Sequence, residues 1–311
     1  MIYRAAVIQA AAIPFAPLGS AEKAAALITE AGAAGAKLAV FPEAFIGGYP
    51  KGAGFGTTVG RRDAPGREAF ERYHRGAVAL DGPEVAVIAA AAAQADVFVV
   101  IGVIERDGGT LYCTALFIDP EEGLVSWRRK LMPTGAERLI WGFGDGSTLS
   151  VVSSALGRVG AAICWENYMP LMRTSLFAQG VELYCAPTAD DRETWAPTMR
   201  HVALEGRCFV LSACQFITRS AYPSDYDCVL GDTPETVLLR GGSLIVDPMG
   251  QVLAGPVFDV ETILYADIDL QSLARAKFDF DVTGHYARPD VFRLTVDTTA
   301  RSPVIFAKLE A

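Results

Sequence analysis

The apolar positions along the chain alternate between two periods. Tyr3 to Ala11 is a compact apolar run and reads as a strand, whereas Ser20 to Ala36 places Ala24, Ala25, Leu27, Ile28 and Ala31 at helical spacing, with Ser20 as the expected N-cap. Lys37 to Phe41 is a short strand that stops at Pro42-Glu43. Pro83 to Ala95 is helical by composition, and Val97 to Ile104 is β-branched. Arg106-Asp107-Gly108-Gly109 is a hairpin turn into a strand from Leu111 to Ile118, and Leu124 to Trp127 reads as a further strand. Val159 to Cys164, Val181 to Ala186 and Cys208 to Cys214 are strand-like, with helices expected at Met169 to Gln179 and Pro197 to Gly206 between them. A last hairpin joins Ser243 to Val246 with Val252 to Ala254. Strands alternating with helices predict an α/β fold, and the hairpins predict mixed sheets.

No linker divides the sequence, so residues 1–311 read as one domain. Residues 45–66 are dense in glycine and lack periodicity, the mark of a long functional loop. The tail from about residue 289 has weak patterning and is expected to dock on another element or another subunit. The N-terminal run has the basic residue, apolar stretch and small residues of a leader. Gln9 interrupts it and Pro14 ends it, so a first core strand is the expected reading. No stretch reaches the roughly 18 uninterrupted apolar residues of a membrane span.

Composition narrows the partners. Of 311 residues, 51% are hydrophobic and 20% charged, enough for a sizeable core, and the formal net charge of -9 disfavours nucleic acid and anionic membranes. The six cysteines show no CxxC spacing and the three histidines no HExxH cluster, so neither a metal nor another cofactor is expected. Free thiols in a reducing cytoplasm are the simplest reading.

The segment GAAICWENYMPL carries the candidate chemistry. A small apolar run ends at Cys164, with Glu166 close behind. Ligand sites in α/β sheets gather at the carboxyl ends of strands, and Glu43 ends another strand in KLAVFPE. Lys130 follows the probable strand Leu124 to Trp127. Each has an ordinary alternative: a cysteine in a strand is usually a small hydrophobe, a glutamate at a strand end a solvated cap, and a lysine beside Arg128 and Arg129 part of an exposed basic face.

Taken together, FPEAFIGGYP, RRKLMPTGAERLIWGFGDGS and GAAICWENYMPL resemble, in order and separation, the Glu–Lys–Cys motifs of the nitrilase superfamily. The longer strings, with GGSLIVDPMG and FDFDVTGHYARPDVF near the C-terminus, resemble its nitrilase branch, over nearly the whole chain. The long C-terminal extension of many members is expected to be short here. The resemblance implies a four-layer αββα sandwich, with Cys164 as nucleophile, Glu43 as general base, Lys130 as the cationic partner and Glu137 as a second glutamate beside the lysine. Without it, Glu137 reads as an ordinary salt-bridge partner. The implied activity is hydrolysis of a small nitrile to the acid and ammonia through a covalent thioimidate and thioester. The resemblance also implies homodimers formed across helices near the nucleophile, for which Met169 to Gln179 and Pro197 to Gly206 are the candidates, and spiral oligomers beyond them.

Other residues take lesser roles. Glu166 reads as a structural hydrogen-bond acceptor rather than another catalytic acid, and His285 as structural. Trp165, Tyr49 and Trp195 are the candidate substrate walls, with Phe55 and Trp141 beside them; alone, Trp165 is as often core as wall and each of the others is more often core. The alternatives are an amidase or N-carbamoyl amide hydrolase of the same superfamily, a cyanide-hydrolysing enzyme, and a catalytically silent assembly module, against which the intact Glu43, Lys130 and Cys164 argue. A metal-dependent nitrile hydratase would need clustered cysteines that the sequence lacks. A papain-like Cys–His pair, through His201 or His285, has no supporting motif.

Overall fold

The computed structural model describes residues 2–302 and 304. Two mixed sheets stack face to face. In the first sheet the strands are β1 (Ile2–Gln9), β2 (Ala36–Val40), β5 (Phe98–Asp107), β6 (Thr110–Asp119), β7 (Gly123–Arg129) and β15 (Thr262–Asp269), in spatial order β15-β1-β2-β5-β6-β7. The ribbon β3 (Thr57–Thr58) and β4 (Arg61–Arg62) stands apart. The second sheet contains β8 (Val152–Ser154), β9 (Gly157–Ala161), β10 (Leu183–Thr188), β11 (Phe209–Cys214), β12 (Phe216–Thr218), β13 (Val237–Val246) and β14 (Val252–Phe258). Its order is β12-β13-β11-β10-β9-β8, with β14 on β13. Each sheet has a parallel centre, β1-β2-β5 in one and β9-β10-β11 in the other. Antiparallel strands flank both centres.

Strand parity builds the layers. Successive side chains point to opposite faces. Val7, Leu38, Val40, Phe98 and Val100 therefore face the second sheet, where they meet Val159, Leu183, Phe209 and Leu211. Their neighbours Ala6, Ile8, Ala39, Val99 and Ile101 pack under α1 (Pro17–Ala33) and α3 (Pro83–Ala95). On the far side Ala162, Tyr184, Ala186 and Val210 pack under α4 (Pro170–Ala178) and α5 (Trp195–Gly206). The order is helix, sheet, sheet, helix, as expected. Strands buried on both faces read as continuous apolar runs, which is why the central ones were visible.

Several boundaries differ from expectation. The first helix begins at Pro17, so Ser20 lies inside it; its hydroxyl exchanges hydrogen bonds with Ile13 instead of capping. Pro at the first turn supplies a start that the cap rule overlooked. The glycine-dense loop ends early, because α2 (Ala64–Arg75) starts within it. Asp63 caps that helix through Gly66 N–H at 2.8 Å. Cys164, expected as the last residue of a strand, instead heads a 3-10 turn (Cys164–Tyr168), because β9 stops at Ala161. The sequence reading passed over α6 (Gln271–Asp279), β8, β12 and β15. In the tail, residues 289–302 have no helix or strand and lie on the chain's own surface. Arg301 N–H donates to Asp145 at 2.7 Å, and Asp297 O presses against Gly146. Residues 303 and 305–311 of that expectation lie outside the described residues.

Candidate active site

Glu43 stands two residues beyond Phe41, whose N–H continues the pairing with β5 by donating to Val100 O. The chain then lies directly on Gly102, whose N–H donates to Pro42 O at 3.2 Å. A Cβ at residue 102 would fall 2.7 Å from Glu43 Cα, so only glycine admits this close approach. Ala44 then turns the chain with φ 53°. Lys130 follows β7, anchored by its own N–H to Cys113 O at 2.8 Å. Its ammonium lies 2.6 Å from Glu43 Oε1 and 2.7 Å from Glu137 Oε2, and 5.5 Å from the centre of the Trp141 ring. Glu137 is fixed in turn. It accepts the Thr134 N–H at 2.6 Å and the Tyr49 hydroxyl at 2.7 Å, in a 3-10 turn (Gly135–Leu139).

Cys164 heads its 3-10 turn with φ 51°, a left-handed conformation that costs a non-glycine residue free energy. Asn167 holds the turn by donating its amide to Ala162 O and Cys164 O. The thiol accepts a hydrogen bond from Thr188 Oγ1, at the end of β10, at 3.3 Å. Glu166 is fully buried and takes four donors. Both terminal nitrogens of Arg128 reach it, at 2.6 and 2.8 Å, with Ile163 N–H at 2.8 Å and Leu131 N–H at 2.6 Å. Glu166 thus binds the turn of Cys164 to the strand that carries Lys130, as a structural acceptor.

Glu43, Lys130 and Cys164 are nearly sealed from water, and their ionisation is perturbed accordingly. Burial pushes the Glu43 carboxyl up, although the Lys130 ammonium pulls against it. For Lys130, burial works against the charge, but the Glu43 carboxylate, then Glu137, outweigh it and hold the amine well above its ordinary value. Burial, then the Glu43 carboxylate, raise the Cys164 thiol, so it rests protonated. Glu43 Oε1 is occupied by Lys130, while Oε2 is buried without a partner. The arrangement is a neutral thiol, a held cation and a carboxylate oxygen free to accept a proton.

A cleft of about 450 Å³ reaches Glu137 from the surface, walled by Tyr49, Lys51, Phe55, Ile140 and Leu230. Of the aromatic residues named as candidate walls, Tyr49 and Phe55 line this cleft. Trp141 is buried against Tyr49 and the lysine. Trp165 is 42% exposed beside the nucleophile; its indole N–H donates to Asp190 at 2.8 Å and the Arg192 guanidinium covers the ring. Trp195 is only 2% exposed and donates to Ser212 in the layer under α5. Tyr168 links it to Trp165, edge to face on both sides, and Trp195 lines a separate small cavity with Asp190, Arg192 and Phe258. His285 lies on the exposed surface against Tyr286, away from these groups. Among the described residues no cluster of three or more His, Cys, Asp or Glu could hold a metal ion. Thr188, Cys113 and Arg128 were not singled out from the sequence. Thr188 ends a strand and obeys the same carboxyl-end rule as Cys164; the other two carry no signal beyond strand parity.

Residues 4–278 match the carbon-nitrogen hydrolase family model. A nitrilase of Bradyrhizobium diazoefficiens is 64% identical over 97% of this chain and 94% of that protein. An aliphatic nitrilase of Sinorhizobium fredii is 59% identical over 97% of this chain and 98% of its own length. The carbon-nitrogen hydrolase of Helicobacter pylori, a solved structure, superimposes with a TM-score of 0.74 over 93% of this chain and 97% of that one, at 19% identity, and so shares the fold. The chain belongs to the carbon-nitrogen hydrolase family, in its nitrilase branch.

Proposed function

We propose that this hydrolase converts small organic nitriles to the carboxylic acid and ammonia, with Cys164 as nucleophile, Glu43 as general base, Lys130 as the cation and Glu137 as its support. The observation that carries the reading is the buried Lys130 ammonium held between two carboxylates, with one Glu43 oxygen left unpartnered. Relatives named as nitrilases, at 59 and 64% identity, support the choice of a nitrile.

The chemistry follows from the charges. As the sulfur attacks the nitrile carbon, Glu43 Oε2 takes the thiol proton, so a thiol of high resting pKa need not ionise beforehand. Charge develops on the nitrile nitrogen, where Lys130 donates a proton and the Trp165 N–H, at the head of the 3-10 turn, adds a dipole. The product is a thioimidate. Glu43 hands its proton to Lys130, then takes one from a water as that water adds to the carbon. Glu43 returns that proton to the nitrogen, then relays the proton of the new hydroxyl to it as the carbon–nitrogen bond breaks, so ammonia leaves and a thioester remains. A second water, activated in the same way, adds to it. The carbon–sulfur bond breaks, the acid leaves and the sulfur recovers its proton. Two waters are consumed per nitrile.

Tyr49 and Trp165 wall the substrate, with Trp195 behind. Residues 1–311 act as one domain, since both halves supply the central layer. Leu171 on α4 and Leu204 on α5 are exposed apolar residues, which supports pairing of two copies across that face and larger assemblies beyond. A monomer by light scattering at micromolar concentration overturns the pairing. Among the described residues no helix is long and apolar enough to cross a membrane, and the cysteines are unpaired, which supports a reducing, cytoplasmic location.

The test is ammonia release from a panel of nitriles and the matching amides. Wild type is expected to act on nitriles. Cys164→Ala, Glu43→Gln and Lys130→Met should each lose more than about 10³-fold in kcat while keeping the wild-type circular dichroism. Ammonia from amides alone, or full activity in Cys164→Ala, overturns the reading.

A further inference from the structure

Six cysteines are unpaired and buried, and the reaction above uses one. Cys113 is the second that touches the site. It lies on β6 among residues that face the central layer, and its thiol reaches Glu43 Oε1 at 3.4 Å. The same oxygen receives the Lys130 ammonium at 2.6 Å. Two donors thus converge on one oxygen of a fully buried carboxylate. The other oxygen, equally buried, has no partner among the described residues. A buried acceptor without a donor is costly, so such an asymmetry is unusual unless a proton is to arrive there.

We propose that Cys113 is a positioning residue for this reaction: its thiol, together with Lys130, pins Glu43 by Oε1 so that Oε2 alone is left to exchange protons with Cys164 and water. The assignment of Glu43 as base rests on the function proposed above; the pinning itself is geometric.

The surroundings make the donor role workable. Cys113 is wholly enclosed, and burial followed by the Glu43 carboxylate pushes its thiol well above the ordinary range, so it keeps the proton it donates. Its carbonyl accepts the Lys130 N–H, so one residue of β6 sets both the lysine backbone and the carboxylate. The charged groups that bear on Glu43 are Lys130 after β7 and Glu137 in its 3-10 turn, and the titratable groups near it that stay neutral are Cys113 on β6, Cys164 in the second turn, Tyr49 in the loop after β2 and Cys214 on β11. Of these, Lys130 and Cys113 donate to Glu43, and Cys113 is the one that can be changed without removing a charge.

A donor to a carboxylate favours its charged form and lowers its pKa; losing the donor raises it. In Cys113→Ala and Cys113→Val the acid limb of the kcat/KM profile should therefore move to higher pH, by about half to one unit for one modest hydrogen bond. kcat at the optimum should fall about 3–10-fold with KM unchanged. Cys113→Ser restores a donor and should bring both back toward wild type. The valine variant fills the space and guards against a collapse of the alanine one.

The decisive comparison is donor against non-donor. The proposal stands if Ala and Val shift together and Ser does not. It is overturned if all three move alike, which would be a volume effect, or if none moves. Infrared spectroscopy of the Glu43 carboxyl band against pH, assigned with Glu43→Gln, reads the same shift with no substrate present. A shifted band in a protein inert to every nitrile would sink the proposed activity and leave the pinning intact. An unshifted band in an active enzyme would do the reverse.

Discussion

Lys130 faces two carboxylates, and that imbalance decides how the site responds to its loss. In Lys130→Met, burial with no cation beside it leaves Glu43 able to persist only by holding a proton. The folded variant would then bind more protons than the unfolded chain above the ordinary carboxyl range, so its stability should fall as pH rises from about 4.5. Melting temperatures across pH 4 to 8 should therefore diverge from wild type, with the deficit growing toward neutrality. An equal deficit at every pH would deny the coupling. Glu166 makes a second case. Glu166→Ala strands the Arg128 guanidinium in the core and should cost about 3–5 kcal/mol in urea unfolding. Position at or near strand ends made Glu43, Lys130 and Cys164 candidates, but each had an ordinary alternative, and their roles came from the resemblance of the motifs around them. Arg128, Thr188 and Cys113 were not candidates, because what singles them out is distance to groups far away in the chain. Trp195 shows the same blindness from the other side, since an aromatic ring looks alike in sequence whether it lines a cleft or fills a core.

Among the elements, the strands were the most legible. Burial on both faces writes them as unbroken apolar runs, and β5, β6, β10 and β11 fall within a few residues of expectation. The helix α3 matches its expected bounds, Pro83 to Ala95. Half-buried or polar elements were missed. The helix α2 carries the string APGREAF, where Pro and Gly read as loop punctuation until Asp63 is seen to cap it. The strand β15 alternates too weakly in burial to announce itself. Elements also position the base by what they omit. Gly102 in β5 is bare so that the segment of Glu43 can lie on it. Gly102→Ala should force that segment outward, cost about 1–3 kcal/mol in denaturant unfolding and lower kcat more than KM is raised. A fully active, equally stable Gly102→Ala protein would show that the contact is slack.

Across the whole molecule, the sheets meet mostly through apolar side chains, with a few polar ties. Gln9 on β1 is one: its amide donates to Val257 O and Val260 O and accepts Ser243 N–H from β13. That residue looked like an interruption in an apolar run, and it belongs there because the strand crosses beneath a partner rich in backbone groups. Gln9→Leu should leave those groups unpaired and lower the denaturant midpoint by the equivalent of about 1–3 kcal/mol. The α/β class and mixed sheets were readable from periodicity. The pairing of two sheets into four layers came from the resemblance, because stacking leaves no period of its own.

Glu166 supplies one more such tie, since its two oxygens reach an amide just beyond β7 in the first sheet and another just beyond β9 in the second. The Leu131 and Ile163 amide protons share a single carboxylate, so neither can be released to solvent alone. Deuterium should enter both positions through the same opening event, at matched rates and with matched dependence on denaturant, despite the 32 residues that separate them along the backbone. The nucleophile and the cation would then loosen together or not at all.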